Sequence, residues 1–121
     1  MKIPSDDMVE IITFDLAEQL KYLINNNLNI LQEYQHQARL RTTSDSCDIV
    51  QGEVYQSILN NYEEFFISVM IHSDGIPLYK SKNCNAWPIL GAVLELPPFA
   101  RSRADNTLLL AIWIGKQKPN F

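Results

Sequence analysis

The chain contains few of the residues that build common small-protein sites. It has only two cysteines, Cys47 and Cys84, which are not at a metal-binding spacing, so neither a zinc site nor a disulfide framework is indicated. Its four glycines form no glycine-rich phosphate loop, which argues against nucleotide binding by that route. No window has the length and hydropathy of a membrane span, and the acids after Met1 do not suit a secretory leader. We therefore expect a soluble intracellular protein without a membrane partner.

Positive charge is also scarce, since the net charge is −4 and the isoelectric point is near 5.0. The charge is uneven along the chain. Residues 1–74 hold four Lys and Arg against twelve Asp and Glu, whereas residues 75–121 hold six against two. The acidic balance predicts weak or absent DNA binding by the chain as a whole. The basic second half either faces nucleic acid or is an ordinary solvated surface.

Length and hydrophobicity allow one compact domain, within which two segments differ in pattern. Residues 1–62 form a helical lead-in segment. Asp15 followed by Glu18 is typical of a helix N-terminus, and the run Asn25-Asn26-Asn27 predicts an interruption. The apolar positions between them and beyond recur at helical spacing: Leu16, Leu20, Leu23, Ile24, Leu28 and Leu31.

A polar loop is expected over residues 42–47, and a second helix over residues 53–59. The apolar residues of this second helix are expected to face inward together: Val54, Tyr55, Ile58 and Leu59. We assign core packing, and no cofactor role, to the apolar stripes of both helices.

Residues 63–121 read as strands. Three apolar runs, at residues 65–73, 86–94 and 107–114, are bounded by turn signals or prolines. Successive strands with short connections pair antiparallel. The sequence therefore predicts an α+β fold, in which N-terminal helices precede a three-stranded antiparallel meander, with Trp87 and Trp113 in its core.

One acid, Asp74, follows the first apolar run directly and is itself followed by Gly75. An Asp-Gly pair between apolar runs is a strong hairpin signal. A carboxylate at the exit of a buried strand can also be a metal ligand, because a cation offsets its desolvation. His72 would share a face with Asp74 in a regular strand, either as a metal partner or general base or as a hydrogen-bonded sheet histidine.

The region around Asp74 resembles a known family through four motifs in the same order and at compatible spacing. They are I-H-S-D-G-I-P-L-Y-K-S at residues 71–81, W-P-I-L at 87–90, E-L-P-P at 95–98 and G-K-Q-K-P at 115–119. Together they resemble the transposases of CACTA (En/Spm-type) DNA transposons and their animal relatives. The similarity extends more weakly upstream, through residues 14–20 and 52–55.

The resemblance implies an RNase H-like fold, a nuclear location and a catalytic set of three acids that binds Mg²⁺ or Mn²⁺. Asp74 corresponds to the first of these acids and would be the metal ligand. Lys80 and Lys82 would contact the DNA backbone, or would only keep the strand edge soluble. Neither Glu95 nor Asp105 matches the family's later acids, so we expect a truncated RNase H-like domain, without a bound cofactor, that does not cut DNA alone.

A second hypothesis is a domesticated interaction or regulatory protein. If the sheet ends at its third strand, residues 108–114 present an uncovered edge. That edge would pair with a second copy of the chain or with full-length transposase.

Overall fold

A computed structural model of the chain describes residues 9–41, 47–73, 76–79 and 84–116. These contain three α-helices and two short 3₁₀ helices: α1 Leu16–Leu40, α2 Glu53–Asn61, α3 Pro98–Arg101, and the 3₁₀ turns Ile49–Gln51 and Ala104–Asn106. They also contain five strands: β1 Glu10–Thr13, β2 Val69–Ser73, β3 Ile76–Tyr79, β4 Cys84–Val93 and β5 Thr107–Gly115. No helix within these ranges has the length and apolar character that a membrane crossing needs.

Helix α1 begins and bends where the sequence predicts. The Asp15 carboxylate accepts a hydrogen bond from the Glu18 amide at 3.2 Å and so caps the helix. At Asn27 the backbone leaves helical geometry (φ −134°, ψ 15°). The Asn27 amide donates to the Leu23 carbonyl at 2.8 Å and to Asn106 Oδ1 at 3.2 Å. The predicted interruption is therefore a kink within one helix, and its side chain ties α1 to the start of β5.

The predicted leucine stripe of α1 is only partly buried. Leu23 and Leu31 are buried, whereas Leu16 and Leu28 are more than a third exposed.

Helix α2 buries a different stripe from the one predicted. Tyr55 and Leu59 face the core as expected, but Val54 is 79% exposed and Ile58 is 36% exposed. Their place is taken by Gln56, which is buried because its amide donates to the Ala38 carbonyl at 3.0 Å and the Val50 carbonyl at 2.8 Å. A polar side chain can occupy a buried position when its polar atoms are hydrogen-bonded, as the amide nitrogen of Gln56 is to two backbone carbonyls.

The α+β class is confirmed, but the sheet is larger than the three strands predicted. Its order is β1-β5-β4-β2, with all pairs antiparallel, and β3 also pairs with β4. Strand β1 lies in the segment predicted to be helical and pairs with β5 from Glu10↔Ile114 to Thr13↔Ala111. Strand β1 has only four residues, the first of which is an acid. An alternating pattern this short cannot be recognised as a strand without knowledge of its partner.

The predicted free edge at the third strand is wrong, because β5 lies between two other strands. Beyond the end of β1, the Gln19 side chain takes over the pairing. Its Nε2 donates to the Leu109 carbonyl, and the Leu109 amide donates to its Oε1, both at 2.8 Å. The amide group thus occupies the position of a further strand residue and continues the pairing of β5 beyond the end of β1, which is the edge strand on this side.

The main core lies between α1 and one face of the sheet. Its buried members are Leu23, Leu31, Val93, Leu96, Ala100 and Leu108. Trp87 is buried as predicted and pairs with Trp113 across β4 and β5. The tightest approach is at Gly91, where a Cβ atom would lie 2.7 Å from Val69 Cγ1 and 3.4 Å from Leu108 Cβ.

We therefore expect Gly91→Ala to lower the free energy of unfolding by about 1–3 kcal/mol, because the added methyl group overpacks β2 against β4. The measurement is urea denaturation of a double-mutant cycle with Val69→Ala. If the contact with Val69 is the cause, Gly91→Ala costs less in the Val69→Ala background than in the wild type. Equal costs in the two backgrounds contradict it.

Candidate functional site

The strands on either side of the Asp74-Gly75 pair keep one register along β4. In β2, Ser73 pairs with Ile89, and in β3, Ile76 pairs with Ala86. Both segments run in the same direction, and Ala86 also pairs with β5, so β2 and β3 lie end to end along the same edge of β4. The chain does not reverse between them. The hairpin interpretation of the Asp-Gly pair is therefore wrong.

The predicted site residues themselves, Asp74, Lys80 and Lys82, lie outside the described residues. Their nearest described neighbour of interest is His72, which is exposed and pairs with Leu90. His72 lines a depression on the sheet face opposite α1, with apolar neighbours Met70, Leu90, Ala92 and Pro98 and polar neighbours Arg101, Ser102 and Thr107.

Two buried polar atoms, Ser73 Oγ on β2 and Trp113 Nε1 on β5, have no hydrogen-bond partner among the described residues. By strand alternation both side chains project to the face that carries Trp87. Ser73 directly precedes the candidate acid.

A second acid, Glu95, is fully buried at the end of β4. Its Oε1 accepts from the Ser68 amide at 2.6 Å, and its Oε2 accepts from Ser68 Oγ at 2.6 Å and from the Tyr55 hydroxyl at 2.7 Å. These donors offset the cost of burying a carboxylate. Glu95 is thus occupied by protein groups and unavailable as a partner for a metal at Asp74.

The Tyr55 hydroxyl links this carboxylate to helix α1. Gln35 Nε2 donates to the Tyr55 oxygen at 3.2 Å and to the Phe66 carbonyl at 3.0 Å. Burial of the Tyr55 ring raises the pKa of its hydroxyl well above the usual tyrosine value, and the hydrogen bond to Glu95 and that group's negative charge raise it further. The hydroxyl therefore stays protonated and acts as a donor, which suits a structural role.

A third acid, Asp48, forms a bidentate pair with Arg101. The two guanidinium N–H groups reach Oδ1 and Oδ2 at 2.7 Å, and the Tyr34 hydroxyl donates to Oδ2 at 2.5 Å. Burial alone would raise the pKa of the Asp48 carboxyl, but the hydrogen bonds from Arg101 and Tyr34 and the charge of Arg101 outweigh it and lower the pKa. Arg101 also donates to the Leu94 and Leu96 carbonyls. The pair fixes the 3₁₀ turn before α2 onto α3.

The remaining acid of interest, Asp105, is exposed and paired at 3.3 Å with exposed Arg103. In the part of the chain that the structure describes, no three His, Cys, Asp or Glu side chains come together as a metal site. Glu95, Asp48 and Asp105 are therefore committed to protein contacts. Sequence reasoning named Glu95 only as a poor match to the family's later acids, without its buried contacts, and it missed Asp48. The one signal available was an acid embedded in an otherwise apolar run, at Glu95.

No protein-family model, curated protein or solved structure matches this chain.

Tyr55→Phe is expected to lower the free energy of unfolding at neutral pH by about 1–2 kcal/mol, because Glu95 loses a buried donor. The pKa of Tyr55 is raised in the folded state, so the unfolded chain loses this proton first, near pH 10. The stability linked to Tyr55 is thus intact below that pH and falls above it. Tyr55→Phe should reduce this alkaline loss in urea melts, whereas Tyr22→Phe, at an exposed site, should not. Identical alkaline profiles for all three proteins contradict the role.

Asp48→Asn is expected to cost about 2–4 kcal/mol at neutral pH, because it leaves the largely buried Arg101 without its counter-ion. The folded pKa of Asp48 is lowered, so its contribution is present above the usual aspartate pKa of about 4 and is lost as pH falls below it. Acid titration of stability should therefore be flatter in this variant. Asp105→Asn is the matched control, since its ion pair is exposed and should contribute almost nothing.

Proposed function

We propose that this chain is part of the catalytic domain of a metal-dependent DNA transposase of the CACTA type, with an RNase H-like sheet and Asp74 as its first catalytic acid. The proposal rests on the four ordered motifs, of which the first contains Asp74. The observation that carries it further is the shared register of β2 and β3 along β4. With the hairpin excluded, the Asp-Gly pair needs another explanation, and a metal ligand is the one that its motif suggests.

The register matters because a catalytic ligand needs a rigid support. A carboxylate at a mobile hairpin tip would be poorly placed to hold a metal within the tolerance that catalysis requires. Here the segments before and after the acid are both anchored to β4, which is itself held between β5 and the β2–β3 edge. This arrangement favours a fixed position for a metal ligand.

Alone, this chain is proposed not to cut or join DNA. Phosphoryl transfer with two metals needs several carboxylates, one metal for the attacking oxygen and one for the leaving oxygen. Glu95 accepts hydrogen bonds from Ser68 and Tyr55, and Asp105 is paired with Arg103 in an exposed turn. A Mg²⁺ ion held by one carboxylate would keep most of its waters and dissociate readily.

The proposal is tested first with metal binding. Titration with Mn²⁺ should broaden the amide NMR signals of residues around Asp74, including Ser73 and His72, at millimolar metal and not below. The broadening should disappear in Asp74→Asn and persist in Asp105→Asn. Equal broadening in wild type and Asp74→Asn overturns the assignment of Asp74 as a metal ligand.

Activity is tested separately on supercoiled DNA with Mg²⁺ or Mn²⁺. We expect no nicking by the purified chain. Nicking that is lost in Asp74→Asn contradicts the proposed inactivity and supports the catalytic acid. Nicking that persists in Asp74→Asn contradicts both the inactivity and the role of Asp74.

A further inference from the structure

The outer edge of β2 is an open edge of the sheet in the part of the chain that the structure describes. The Ser68 carbonyl accepts from the Leu94 amide at 3.1 Å, so the backbone of Ser68 faces β4. In an antiparallel pair this orientation alternates, so Met70 and His72 face β4 as well. The N–H and C=O groups of Val69, Ile71 and Ser73 therefore point away from β4.

Strand β2 lacks the features that normally prevent strands from pairing between molecules, whereas β3, farther along the same edge, contains Pro77. Residues 65–73 contain no Lys, Arg, Asp, Glu or Pro, in a chain whose net charge is −4. No register shift interrupts the pairing of β2 with β4. The central side chains are apolar and exposed on both faces, with Ile71 57% exposed on one and Met70 41% exposed on the other. By contrast, the opposite edge strand, β1, carries Glu10 and is one residue shorter.

We propose that the β2 edge binds the β2 edge of a second copy of this chain, forming a symmetric dimer with one continuous sheet. The twofold axis passes at Ile71, so Ile71 lies opposite Ile71 of the second copy and Val69 lies opposite its Ser73. These are the residues whose backbone groups point outward, so the register makes about six N–H···O bonds.

A second copy fits this edge better than a charged partner. Because the strand is uncharged, two copies meet without like-charge repulsion at the point of contact, although the molecules as a whole repel each other. On one face the two Ile71 side chains contact each other. On the other face, Met70 lies beside His72 of the second copy, which covers exposed apolar surface on both molecules. A twofold contact uses both edges and closes the assembly at two chains.

The register is tested by charge substitution at Ile71. Ile71→Lys and Ile71→Glu each place two like charges directly opposite one another, so each should weaken dimerisation by about tenfold or more. Mixing the two variants in equal amounts should restore a dimer of one Lys chain with one Glu chain. Val54→Lys is the matched control, since Val54 is an exposed apolar residue on α2 and not on β2, and should leave the dimer unchanged.

Analytical ultracentrifugation over a range of concentrations gives the readout, with circular dichroism to show that each variant is folded. A wild-type chain that stays monomeric at its solubility limit overturns the proposal. So does a dimer unaffected by both Ile71 substitutions, or a series of species that grows beyond two chains. Failure of the Lys and Glu variants to pair with each other overturns the proposed register. These results are independent of nicking and metal binding, so they separate this proposal from the proposed function.

Discussion

The fold depends on how one buried carboxylate is satisfied. Glu95 is fully inaccessible to solvent, and an unpaired carboxylate in that position would cost several kcal/mol. Its partners come from two separate parts of the chain: the hydroxyl of Tyr55 on α2, and the amide and hydroxyl of Ser68 just before β2. Meeting these requirements fixes α2 and the entry to β2 relative to the end of β4. Gln35 extends the constraint to α1 through Tyr55.

The same end of the sheet carries the second polar contact, between Asp48 and Arg101. Arg101 donates to both carboxylate oxygens and to the carbonyls of Leu94 and Leu96, the residues that flank Glu95. The turn after β4 is therefore held from two sides by polar groups. Polar contacts of this kind specify one arrangement of elements, because alternatives leave a charge buried without a partner.

The two edges of the sheet differ in how they are paired. On one side, β1 pairs with β5 and the Gln19 amide continues the pairing at Leu109, so β5 is paired on both sides and the short strand β1 is the edge strand. On the other side, β2 and β3 lie end to end along β4 with an outward edge. The Asp-Gly pair falls between these two segments. The candidate acid directly follows β2 in the sequence, so substitutions in β2 are best assessed for both metal binding and association.

The sequence by itself determined the local features whose causes are local. The Asp15 cap, the interruption at Asn27 and the apolar runs that became β4 and β5 all depend on neighbours within a few residues. Asp74 was singled out only by its motif. Tertiary structure decided the rest: the burial of Gln56 and Glu95, the pairing of β1, the pairing of the Gln19 amide with Leu109, and the absence of a reversal between β2 and β3. Each depends on a partner distant in sequence, and a polar residue gives no sign in its own neighbourhood of which distant group will satisfy it.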